Sequence, residues 1–76
     1  MNSKRERFIR VAEARVSKVL ETLRLIKNCS SRNNYEYTEK DVEMMFLEIS
    51  KAVKDAKDAY YAELSKSNST KFKFEN

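Results

Sequence analysis

Four cations crowd the start of the chain, Lys4, Arg5, Arg7 and Arg10 in "MNSKRERFIR". Ammonium and guanidinium groups at that density suit contact with the phosphates of a polyanion such as nucleic acid. Their position sharpens the point. If the segment is helical, its first turns carry the positive end of the helix dipole, which disfavours cations. A locally unfavourable pattern is often kept because it serves something else. Arg15 and Lys18 continue the cluster down the chain. The plainer reading is a solvated basic rim, and it is preferred here. No reader motif, no Trp and no interleaved ladder of aromatic residues accompanies the cations.

Other chemistries find less material. The chain has no His for general acid–base work and no Gly to build a phosphate loop. Cys29 has no imidazole to activate it and no second cysteine to pair with. One Cys and no His make a protein-only zinc site a poor expectation. Glu39, Glu43, Asp55 and Asp58 read as a solvated face rather than a cation site. The expectation is therefore a protein that is not an enzyme, with no catalytic residues, no metal and no cofactor.

The elements that carry these residues follow from periodicity. Ile9, Ala12, Val16, Val19, Leu23 and Ile26 alternate spacings of three and four, the signature of a heptad seam. Phe8 and Leu20 widen it. Ser3 with Glu6 has the spacing of a capping box, and Asn28 after Lys27 suits a helix end in the left-handed conformation. A first helix is expected over about residues 4–27. A second seam runs through Val42, Phe46, Ile49, Val53, Ala56 and Tyr60, with Met45, Ala52 and Ala59 alongside and Leu64 beyond. Thr38 is the expected N-cap and Asp41 its partner three residues on, with Tyr37 and Val42 at the spacing of a hydrophobic staple. The second helix is expected over about residues 39–65.

Between them lies "NCSSRNNYEYT", where Asn33 and Asn34 tolerate left-handed conformations in a turn. Tyr35 has no part in the cap. It is expected to pack over the end of the helices, and its alternative role is a contact for a protein partner. Residues 67–76 read as a polar tail, flexible or docking on a partner. In an extended tail, Phe72 and Phe74 would share one face and offer a second protein contact.

At 76 residues the chain makes one small domain, which normally needs a staple, a metal or a partner chain. Gly and Pro are both absent, where ordinary usage would supply about five and about four. Charged residues reach 37%. That composition points to long solvated helices. The fold class expected is all-α: an antiparallel two-helix hairpin, dimerising into a four-helix bundle because each apolar stripe is wider than one neighbour covers. Charge favours setting unlike helices side by side. Residues 4–27 hold eight Lys or Arg against three Glu, and residues 39–66 hold five Lys against seven acidic residues. No apolar run approaches the ~20 residues of a bilayer span, so no membrane partner is expected. The free cysteine and the lack of an apolar signal core suggest a cytoplasmic setting.

One resemblance bears on function. Arg15-Val16-x-Lys18, Ile26 to Asn28, and Tyr35-Glu36-Tyr37-Thr38 followed by Asp41-Val42 are similar to features of a group of short proteins of Gram-positive bacteria. Those proteins often lie near mobile elements and have no established activity. The resemblance covers about half of the chain and implies a small bacterial helical protein. Two functions then compete. The preferred one is a non-catalytic homodimeric module for protein interaction or assembly. The alternative is a nucleic-acid accessory protein of a mobile element, using Lys4, Arg5, Arg7 and Arg10.

Overall fold

The computed structural model describes the main chain of residues 3–75 and the side chains of residues 3–66. It is all-helical, with α1 at Ser3–Asn28 and α2 at Glu39–Glu75, and holds no strand among the described residues. No helix among the described residues is long and apolar enough to cross a membrane. The chain divides into two units, Met1–Glu36 and Tyr37–Asn76.

The first unit is α1 and most of the turn that follows. Its 26 residues span about 39 Å. Such a length lies well beyond the roughly 12–15 residues below which isolated helices are marginal. Ser3 is itself helical, whereas an N-cap residue is not, so the expected Ser3–Glu6 capping box is not the geometry found. Thr22 bonds back along the helix, its hydroxyl donating to the Lys18 carbonyl at 2.8 Å. At the far end the main chain tightens. The Cys29 N–H donates to the Ile26 carbonyl and the Ser30 N–H to the Lys27 carbonyl, each at 3.0 Å. These three-residue bonds satisfy carbonyls that would otherwise be orphaned. No described residue has a positive φ, so Asn28, Asn33 and Asn34 do not take the left-handed conformation expected of them. The tightened turn does the capping instead. A second turn follows, with the Asn34 and Tyr35 N–H groups both donating to the Ser31 carbonyl at 3.2 and 3.0 Å.

The second unit opens on a complete capping box. The Asp41 N–H donates to Thr38 Oγ1 at 3.1 Å, and the Thr38 N–H donates to Asp41 Oδ2 at 2.9 Å. Two donors that a helix start leaves unpaired are thereby paired reciprocally. The Val42 N–H donates to the Thr38 carbonyl at 3.2 Å, the first bond of the helical ladder. Tyr37 and Val42, the staple positions, are both half-buried. Glu39 and Asp41 lie in the first turn, where the dipole favours them.

α2 does not stop near Ser65 but runs on to Glu75. The reason lies in what "SKSNSTKFKFE" lacks. Ser, Asn and Thr are poor helix formers, yet there is no Gly or Pro to break the ladder. Once a helix is nucleated, each added residue fixes one further bond. The main chain of 67–75 is therefore helical, and the extended arrangement in which Phe72 and Phe74 would share one face is not the one found.

No described residue is buried in either unit. The half-buried apolar positions are Val11, Ala12, Leu23 and Ile26 in α1 and Val42 and Ile49 in α2. All but Val11 lie on the two seams. Among the other seam residues, Ile9, Val16, Val19, Phe46 and Val53 are exposed, with Val16 and Val53 both at 56%. The helices are laced by exposed pairs: Arg24 to Glu21, Lys51 to Glu48 at 3.4 Å, Lys54 to Asp58 at 2.8 Å and Lys66 to Glu63 at 3.2 Å. Each such pair contributes only about 0.3–0.5 kcal/mol.

Candidate functional site

The helical main chain sorts the side chains of α1 by face, since successive residues turn by about 100°. Phe8, Ile9, Ala12, Val16, Val19, Leu20, Leu23 and Ile26 fall within a sector of about 120°. Glu6 and Glu13 lie along one flank of that apolar stripe, and Glu21 stands further round, about 100° from the stripe edge. Lys4, Arg7, Arg15 and Lys18 lie along the other flank, within about 80° of one another. All seven of these charged residues are exposed.

The expected polyanion contact therefore divides. Lys4 and Arg7 stand on the basic flank. Arg10 lies on the acidic flank, and the guanidinium of Arg5 sits 5.9 Å from the centroid of the Phe8 ring, at the apolar stripe. That distance is within cation–π range. Ser3, Glu6, Arg7 and Arg10 together border a shallow hollow near the helix start. Adjacency in sequence suggests a single four-residue cluster. The helix turns those four cations towards three faces and brings Arg15 and Lys18 into line with two of them.

Tyr35 is 53% exposed, against the expectation that it packs down, whereas Tyr37 two residues later is half-buried. The side chains of Phe72 and Phe74 lie outside the described residues. Cys29 carries an exposed free thiol. Among the carboxylates considered for a cation, Asp58 is paired with Lys54, and all four are exposed. No group of three or more His, Cys, Asp or Glu among the described residues is placed to hold a metal ion.

On α2, Val42, Met45, Phe46, Ile49, Ala52, Val53, Ala56, Ala59, Tyr60 and Leu64 fall within about 140°. Three exposed apolar residues of α2, Met44, Leu47 and Tyr61, escape the periodicity. Met44 and Leu47 lie away from that stripe, at 58% and 57% exposure. With Met45 and Phe46 they make the second turn of α2 apolar on every side, a pattern normally met only where a helix is surrounded. The signal is the unbroken run "MMFL", which a seam-seeking pattern divides between on-register and off-register positions.

Comparison of the chain with protein-family models, with curated proteins and with solved structures yielded no match.

Proposed function

We propose that this chain is a non-catalytic helical assembly protein, in which α1 and α2 fold back as an antiparallel hairpin and two copies close a four-helix bundle. The observation that carries the reading is the pair of wide apolar stripes in a chain without one buried residue among those described. A single helix covers a neighbour along one line, and stripes of about 120° and 140° are wider than that line. Burying one Leu or Phe side chain contributes about 1.5–3 kcal/mol, so a handful of these residues decides association. Cations are in surplus on α1, and carboxylates are in surplus over residues 39–66. That asymmetry biases α1 to lie beside α2 rather than beside its own copy. The outward surface, with Tyr35 exposed on it, is left for a protein partner.

Sedimentation equilibrium at micromolar concentration tests the assembly. The expected mass is twice the 9.0 kDa of the chain. A helical, cooperatively melting species of single-chain mass overturns the reading.

A further inference from the structure

The eight cations of α1 divide evenly by face. Arg5, Arg10, Arg24 and Lys27 lie on or beside the apolar stripe and its acidic flank, where Arg24 pairs with Glu21. Lys4, Arg7, Arg15 and Lys18 occupy the opposite flank, all exposed and forming no ion pair among the described residues. The other members of that flank are Val11, Thr22 and Leu25, so no carboxylate and no aromatic ring interrupts it. From Lys4 to Lys18 the ridge runs about 21 Å along the helix axis.

We propose that this ridge is a docking surface for the phosphate backbone of a nucleic-acid duplex. A rigid rod bearing one negative charge per about 1.7 Å meets a straight row of cations without either partner having to bend. The one-sidedness of the charge selects this partner over a lipid surface. A helix lying flat on an anionic membrane buries its apolar stripe and turns both flanks to the headgroups. Glu6 and Glu13 would then face anionic lipid and be repelled. A duplex touches the basic flank alone and leaves the stripe free. Single strands are disfavoured for a different reason, since their binding relies on aromatic stacking platforms and the ridge has none. With nothing on it suited to bidentate reading of a base edge beyond its cations, the ridge positions a duplex without choosing a sequence. The proposal does not rest on the dimer, because ridge and stripe occupy different sectors of α1.

The test uses the full chain, labelled mixed-sequence DNA and RNA duplexes, and fluorescence anisotropy across a salt series. The ridge variant is Lys4→Gln, Arg7→Gln, Arg15→Gln and Lys18→Gln together. Its control is Arg5→Gln, Arg10→Gln, Arg24→Gln and Lys27→Gln, which removes the same charge from the same helix. The log–log salt slope of the wild type should drop in the ridge variant by about 0.9 for each phosphate that is no longer neutralised. Affinity at low salt should fall at least about tenfold, and the control should lose much less. Binding of either duplex in this pattern upholds the proposal, and comparing the two identifies the source of the phosphates. Circular dichroism checks helix content. If the ridge variant is not helical, Arg7→Gln with Lys18→Gln is compared with Arg10→Gln with Lys27→Gln, and about half the slope change is expected. Absence of wild-type binding at tens of micromolar, equal losses in variant and control, or tighter binding to anionic vesicles than to duplex would each overturn it. Sedimentation of the same samples keeps a failure of assembly distinguishable from a failure of the ridge.

Discussion

The two helices begin in opposite ways. α2 starts from a reciprocal pair of hydrogen bonds between Thr38 and Asp41, with Glu39 and Asp41 set against the positive end of the dipole. α1 starts with Ser3 already inside the helix and with Lys4, Arg5 and Arg7 against one acidic residue, Glu6, in its first turns. The capping chemistry and electrostatics of α2 agree with each other and with the helix they begin. Those of α1 disagree, and the disagreement is informative. Where local signals all point one way, stability accounts for the residues. Where they conflict, the residues that break the rule are the ones to examine for another role, and two of them lead the basic ridge.

The largest expected effect falls on the apolar stripe of α2. Phe46→Ala should lower stability by about 3–5 kcal/mol if the ring is enclosed in the bundle, and should shift sedimentation towards the single-chain mass. A change of less than about 1 kcal/mol with the dimer intact would place Phe46 on an outer surface and remove it from the core of the assembly. Next comes the start of α2. Thr38→Ala removes one half of the box and leaves the other without its partner, with an expected cost of about 1 kcal/mol in a urea melt followed by circular dichroism. An unchanged midpoint would mean that the staple residues Tyr37 and Val42 alone define the helix entry. The smallest effect should come from α1 and carry the opposite sign. Lys4→Glu places an anion in the first turn and should stabilise the helix by about 0.3–1 kcal/mol at low salt. The same substitution should weaken duplex binding, because it replaces a ridge cation with a carboxylate. A gain in stability with duplex binding unchanged would reduce Lys4 to part of a solvated rim.

Much of the local structure is legible in the sequence because it is decided within a few residues. Thr38 and Asp41 are three apart, and their bonds form as the spacing indicates. The seams follow from spacings of three and four, and the length of the helices from the absence of Gly and Pro. That same absence carries α2 past Ser65 to Glu75, beyond the end that its polar residues suggest. Asn28 does not act as a left-handed cap, because a helix can also end by tightening to three-residue bonds, a choice the side chain does not dictate.

The sequence by itself determined which residues lie on which face of each helix. It did so through a fixed turn per residue, and this is enough to separate Lys4, Arg7, Arg15 and Lys18 from Arg5 and Arg10. Only the folded structure decided how far each face is withdrawn from water. Tyr35 and Tyr37 are the same residue type two positions apart, yet one is exposed and the other half-buried. Leu23 and Val19 belong to one seam, yet only Leu23 is half-buried. Periodicity is a property of the helix as a whole, whereas the exposure of one side chain also depends on the size and rotamer of its immediate neighbours, so a stripe can be read from spacing while the cover of each residue on it cannot.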